Sequence, residues 1–331
     1  MRYSWIALSG LLITAVATSC SNGDDTRIID TIAFGSCGEQ YKDQPVLALA
    51  AQRRPGVFVF LGDNIYGDTY NMDTLRIKYN MLGAKPEFQK LKESTEVLAT
   101  WDDHDYGWND SGRHYPFKEE SKQIFLDFFG VPDPAVTDRD GIYYSKYYRD
   151  AQHTLQVIVL DLRTFRDNLL PHGTNTFDGD EFDYVLDYRP HENTDSTLLG
   201  DVQWQWLEAE LQKPADIRLI ASSTQFGITY NGYEAWANFP HEQKRMIDLI
   251  KQTRAEGVVF ISGDVHYAEI SRLEADGLYP LYDVTSSGIT STWGFATPNG
   301  NRIDGPVMEN NFGLITIDWQ KDDPEILMEV I

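Results

Sequence analysis

Four short motifs carry residue types that do chemistry together: Ser36-Cys37-Gly38, Gly62-Asp63-Asn64-Ile65-Tyr66, Trp101-Asp102-Asp103-His104-Asp105 and Gly263-Asp264-Val265-His266. Suppose Asp63, Asp103 and Asp264 meet within ~5 Å. At an effective dielectric of ~20 each ionised pair then repels by about 3 kcal/mol. Protons relieve that repulsion in acid, and cations relieve it at neutral pH. Cys37, Tyr66 and His266 are metal-ligating types as well. A thiolate and a phenolate beside carboxylates favour a high-valent iron over zinc, whereas an all-oxygen neighbouring set suits calcium or magnesium. Two cations sharing one bridging carboxylate is an arrangement that attacks phosphate esters. One cation lowers the pKa of the attacking water, and both neutralise charge on the phosphate oxygens.

Such a cluster needs elements that deliver the motifs to one place. Apolar, β-branched or aromatic runs at 31–35, 57–61, 96–101, 155–160, 218–221 and 258–262 each stop abruptly at polar residues. Continuous runs of this length predict strands buried on both faces. Helical patterns at 43–53, 73–82, 118–129, 201–212 and 241–256 lie between them. In 201–212, Val202, Trp206, Leu207 and Leu211 have helical spacing and Pro214 marks the exit. Alternation of strands and helices predicts an α/β fold, in which ligands gather beyond the carboxyl ends of strands. Runs at 281–284, 312–318 and 326–331 read as strands without intervening helices, which predicts antiparallel closure of a second sheet. The expectation is one domain over 31–331, with two packed mixed sheets flanked by helices.

With these motifs in family order, the sequence resembles the PhoD-like (alkaline phosphatase D) metallophosphoesterases. The quoted stretches are Phe34-Gly35-Ser36-Cys37, Gly62 to Tyr66, Trp101 to Asp105 and Gly263 to Tyr267. Leu199-Gly200-Asp201-Val202-Gln203-Trp204 with Trp206-Leu207, and Trp236 through Pro240 to Arg245, support them. The resemblance implies a four-layer αββα metallophosphatase sandwich and a dinuclear centre of the Fe3+ and Ca2+ type. It assigns Cys37, Tyr66 and His266 to the iron, Asp63 to the bridge, and Asp103 and Asp264 to the second ion. His104 falls where an imidazole meets the leaving group or a phosphate oxygen. Asn109 falls at a phosphate or metal contact, and Arg113 or Arg163 offers a bidentate phosphate clamp. The implied reaction is hydrolysis of a small phosphomonoester by in-line attack of a metal-bound hydroxide. Diester cleavage, including phospholipid headgroups or teichoic-type polymers, is the alternative, followed by hydrolysis of another ester and by a non-catalytic surface lipoprotein. Family members such as the secreted bacilli enzymes carry a β-rich N-terminal domain before the Ser-Cys motif, whereas only a short stretch separates Cys20 from Ser36 here.

Other polar residues have plainer readings beside the chemical ones. Asp102 and Asp105 are orienting partners for His104 or for a ligand. Gln225 follows a strand where the superfamily places a metal ligand, and it reads equally as a structural amide. His114, His153, His172, His191 and His241 read as surface or core. The acidic stretch between Asn175 and Asp201, with its run at 178–183, reads as a solvated lid or insertion near the site mouth, with a calcium loop as the lesser alternative. Trp293, Trp108 and Tyr106 are candidates for the cleft wall.

The chain start reads as an address. Arg2 precedes an apolar run from Trp5 to Ala17, then Thr18-Ser19-Cys20, a lipoprotein-type signal over 1–19 in which Cys20 takes the acyl chain. Ala17 stands where that pattern usually has Leu. Residues 20–30 form an acidic tether, and the expected location is the cell envelope, periplasmic or at the surface, with the membrane as partner through the anchor. The run is shorter than the ~20 residues of a spanning helix. With 28 Lys+Arg against 51 Asp+Glu, the net charge of −23 argues against nucleic-acid partners. Two cysteines provide no disulfide framework. A monomer is expected.

Overall fold

A computed structural model describes residues 27–173 and 186–331. The expected signal, Cys20, most of the tether and the acidic run at 178–183 lie outside these described residues. β1 (Thr31–Gly35), β2 (Val57–Leu61) and β3 (Glu96–Thr100) pair in parallel, with α1 (Pro45–Gln52), α2 (Met72–Gly83) and α3 (Pro86–Ser94) in the crossovers. Then follow α4 (Asp103–Tyr106), α5 (Lys118–Phe129) and α6 (Ala135–Asp138). β4 (Tyr144–Arg149) and β5 (Thr154–Val159) begin a second sheet, and β6 (Leu170–Pro171) pairs with β7 (Tyr188–Arg189) in a small ribbon. The second sheet continues through α7 (Gly200–Leu211), β8 (Ile217–Ser222), α8 (Pro240–Thr253), β9 (Val258–Ser262), β10 (Ala268–Leu273), β11 (Leu281–Ser286) and β12 (Arg302–Val307). β13 (Gly313–Asp318) and β14 (Glu325–Val330) return to the first. The sheet orders are β14-β13-β1-β2-β3 and β12-β10-β11-β9-β8-β5-β4.

The apolar runs are continuous because both faces of these strands are covered. All five residues of β2 are buried, and Phe60 packs on Phe88 of α3 at 5.7 Å and on Phe129 of α5 at 5.8 Å between ring centroids. In the second sheet, alternate residues divide between two cores. Val157, Val159, Leu219, Ala221, Val259 and Ile261 pack with the first sheet. Ile158, Ile220 and Phe260 pack with Trp204 and Leu207 of α7 and Met246 and Ile250 of α8. The layers are therefore helix, sheet, sheet, helix, as expected.

One topological expectation is corrected. β13 and β14 do not close the second sheet: β13 pairs antiparallel with β1, β14 with β13, and β11 lies parallel to β9. Alternating apolar residues specify a buried strand face, and nothing in that pattern says which sheet edge will receive it. Parallel register then brings the strand ends level. Gly35 faces Phe60, Leu61 faces Thr100 and Ser222 faces Ser262, so the polar residues that follow emerge together.

Candidate metal centre

The chain bends sharply at each of these ends. Eight described non-glycine residues have positive φ, and six of them stand here: Cys37, Asp63, Asp68, Asp110, Asp264 and His266. Such backbone costs roughly 1–3 kcal/mol per residue and persists where packing over-determines it. One buried Phe or Leu side chain contributes about 1.5–3 kcal/mol, so the two cores readily hold the strain. Gly62, at φ 98°, lets the acid loops touch: a Cβ there would lie 2.5 Å from the Asp102 Cβ and 2.7 Å from its backbone nitrogen. Gly263 approaches Ser36 as closely, with a built Cβ 2.4 Å from the hydroxyl.

The residues named from the motifs meet. The Cys37 Sγ lies 3.4 Å from Asp63 Oδ2 and 3.0 Å from the Ser287 hydroxyl. The Tyr66 hydroxyl lies 3.2 Å from His266 Nε2. Three sets of ligand atoms fall within 4.8 Å of one another: Cys37, Asp63 and His266; Asp63, Asp103 and His104; Asp102, Asp103 and Asp264. Asp63 belongs to the first two sets and Asp103 to the last two. This overlap suits a carboxylate shared between two ions.

The electrostatics ask for positive charge. Lost hydration drives the Asp63 and Asp264 carboxyls and the Tyr66 phenol well above their ordinary ranges, and neighbouring acids add to each shift. Burial also pushes the Cys37 thiol up to about 12 and the His266 imidazole down to about 4. Burial thus disfavours the charged forms of the thiol, the phenol and the two acids, whereas an ion among them would favour the ionised, ligating forms. Asp63 Oδ1 and Asp103 Oδ1 are buried with no hydrogen-bond partner among the described residues. Orphaned oxygens beside a thiol, a phenol and a neutral imidazole fit the donor set expected of paired cations.

His104 has a partner that the sequence reading missed. Its Nδ1 lies 2.8 and 2.9 Å from the two oxygens of Asp68, which leaves Nε2 for the site. Burial opposes the imidazolium, but Asp103 and Asp68 outweigh it and raise the pKa to about 9. Asn109 stands beside them, its backbone N–H donating to Asp68 at 3.2 Å and its amide to Asp110 at 2.8 Å. Asp105 receives the backbone N–H of Asp102 at 2.6 Å and that of Asn64 at 3.2 Å, tying the two acid loops together.

Neither arginine lines the cavity that Asp63, Asp103 and Asp264 share. Arg163 is fully buried behind the acids, donating to Asp102 at 2.6 Å and to both oxygens of Glu234 at 2.9 Å. Arg113 pairs with Asp167 at 3.1 Å and lines a separate cavity of about 710 Å³ with His114. The Gln225 amide donates to Glu269 at 2.9 Å and Thr285 at 3.0 Å inside the second sheet, the structural role. Asp63, Asp103, His104, Asn109, Asp264 and His266 line one cavity of about 280 Å³, with Trp293 in its wall. Tyr106 is buried with its hydroxyl on the Gly112 carbonyl, and Trp108 stacks on Tyr70. Neither belongs to that wall, and neither do His114, His153, His172, His191 or His241. Asp68 and Glu234 carried no sequence signal beyond lying in polar loops.

Known proteins match this frame. The family profile described as PhoD-like phosphatase covers residues 32–304. Alkaline phosphatase D of Bacillus subtilis (strain 168) is 26% identical, over 78% of this chain and 48% of that protein. The chain therefore spans about half the length of this curated relative. Among solved structures, PhoD superposes with a TM-score of 0.69 at 18% identity, covering 92% of this chain and 69% of that one. GAP50, the anchor in the inner membrane complex of Plasmodium, gives 0.52 at 13% identity, covering 91% and 84%. At those identities the two structures speak for the fold, and the profile speaks for the lineage: over 32–304 the chain belongs to the PhoD-like phosphatase family.

Proposed function

We propose that the chain is a metal-dependent phosphoesterase that hydrolyses phosphomonoesters. The observation that carries this reading is Asp63, buried with one oxygen unpartnered and shared between a thiol–imidazole set and a carboxylate–imidazole set. Cys37, Tyr66 and His266 with Asp63 would hold one ion, and Asp63, Asp103 and Asp264 the other. The donor types favour iron in the first place and calcium in the second. When bound, two such cations supply an activated water and neutralise charge on the phosphoryl oxygens.

The protein's own groups then divide the remaining tasks. Asp68 fixes His104 through Nδ1 and leaves Nε2 facing the cavity as the atom that donates a proton. As the oxygen of water bonds to phosphorus and the bond to the departing oxygen breaks, that proton passes to the alkoxide and yields the alcohol. Asn109 meets a phosphate oxygen at the rim. Arg163 acts from behind, holding Asp102 and Glu234 rather than the substrate. The same reading takes 1–19 as an export signal and Cys20 as an acylated anchor in the cell envelope. Among the described residues no helix is long and apolar enough to cross a membrane.

Metal analysis of the purified chain, coupled to assays on p-nitrophenyl phosphate and bis-p-nitrophenyl phosphate, tests the proposal. Bound iron with turnover of the monoester is expected. No bound metal and no turnover of either ester, even after reconstitution with iron and calcium, would overturn it.

A further inference from the structure

The turn that delivers Cys37 also carries a buried amide, Gln40, which the hydrolytic roles leave unused. Pairing between β1 and β2 outlives both strands. The Cys37 N–H donates to the Gly62 carbonyl at 3.4 Å, and the Gly38 N–H donates to the Asp63 carbonyl at 2.9 Å. Left-handed turns at Cys37, φ 61°, and Asp63, φ 48°, redirect the two loops. A side chain makes the next link. Gln40 Nε2 donates to the Tyr66 carbonyl at 3.2 Å, and Gln40 Oε1 accepts the Tyr66 N–H at 2.8 Å. One planar amide thus serves both main-chain groups of a single residue, as a neighbouring strand would.

The residue so held is a candidate ligand. The Tyr66 hydroxyl lies beside His266 Nε2, and its ring centroid lies 4.4 Å from that of His104. The Lys78 ammonium donates to the Tyr66 carbonyl at 3.0 Å and to that of Gly67 at 2.7 Å. It grips carbonyls alone, whereas Gln40 holds an N–H as well. The N–H and C=O of one residue belong to the two rigid peptide planes that flank its Cα. A group that holds both fixes the direction of the Cα–Cβ bond. A rigid ring carries a small angular error at Cα out to a larger displacement at its oxygen, so a phenol ligand depends on that direction. We propose that Gln40 is a positioning residue for the metal centre, its amide setting the Tyr66 phenol toward the ion shared with Cys37, Asp63 and His266. The proposal rests on the metal-centre reading above and adds the residue that aims one of its ligands.

The test is spectroscopic. The purified protein is loaded with Fe3+ and followed by visible absorption and by resonance Raman scattering from tyrosinate modes, with affinity measured by competition against a chelator. A tyrosinate-to-iron charge-transfer band is expected in the parent and should vanish in Tyr66→Phe. Gln40→Met keeps a side chain of similar length and removes both hydrogen bonds. Its band should shift and weaken, and its iron affinity should fall about 10–100-fold. Gln40→Glu keeps an acceptor for the Tyr66 N–H and should lie between the two. Parental band and affinity in these variants, whatever their melting temperatures, would make Gln40 a structural amide and overturn the proposal. Should Gln40→Met fail to fold, Gln40→Glu decides the question by the same two readouts. A parent that binds iron without a tyrosinate band also overturns it, because Tyr66 is then no ligand. A parent that takes up no iron fails the metal-centre reading, and the positioning role with it.

Discussion

Cys37 and Asp63 lie 3.4 Å apart at the ends of neighbouring strands, and burial disfavours the charged form of both. A carboxylate needed for its charge and an imidazole needed for its proton fail differently when replaced. Asp63→Asn keeps the shape and removes the charge shared between the two ligand sets. It should lose bound metal and activity together, by elemental analysis and nitrophenyl phosphate assay. His104→Ala should keep the metal and lose roughly 10²–10⁴-fold in kcat, the usual loss when a positioned proton donor is removed. Full activity in that variant would take His104 out of the reaction. Asp68→Asn should fall between, by about 10–100-fold with metal retained, because it weakens the partner that orients the ring. The motifs singled out Asp63 and His104, and both line one cavity. They passed over Asp68, because its role depends on a loop conformation at φ 40° that places it over His104, 36 residues away in sequence.

At the level of elements, Arg163 joins three loops. It leaves β5, binds Asp102 after β3, and binds Glu234 in the segment after β8. Removing the guanidinium would leave Asp102 buried without its ion-pair partner and Glu234 with Arg166 alone, a change that costs about 3–5 kcal/mol. Arg163→Met should lower stability by that order in urea unfolding. Arg163→Lys should recover only part of it, because an ammonium lacks the planar fork that spans both carboxylates. An Arg163→Met protein as stable as the parent would remove this tie. The strands that end in the site were readable because burial on both faces leaves a continuous apolar signature. β4, β10 and β12 were missed because polar residues interrupt them. β4 mixes buried tyrosines with Ser145, Lys146 and Arg149, and β12 is largely exposed. Strand partners were unreadable where pairing is non-local, as for β13 beside β1.

The molecule as a whole carries −23. At the proposed centre, bound cations would offset Asp63, Asp103 and Asp264, and the rest of the acids repel anions at a distance. At ~10 mM salt the screening length is about 30 Å, and at ~150 mM about 8 Å. For the dianion p-nitrophenyl phosphate, kcat/KM should therefore rise several-fold across that range at fixed metal. A steep fall would mean that long-range attraction, not repulsion, governs encounter. Chelation should lower the melting temperature, and readdition of the cations should restore it, since ligands that bind only the folded state stabilise it by mass action. An unchanged melting temperature would detach the metals from the fold.

The return of β13 and β14 to the first sheet sets the order in which the protein is finished. β1, which delivers Cys37, sits between β2 and β13, whose Gly313 pairs with Phe34 from the other end of the chain. One side of that strand waits for almost the whole sequence to be made, and such distant pairing is slow. During refolding Cys37 should remain reactive toward thiol reagents until β13 docks, with protection appearing in the slowest phase. The strand that brings the thiol is thus among the last to be enclosed, and metal capture becomes a closing step of folding rather than its seed.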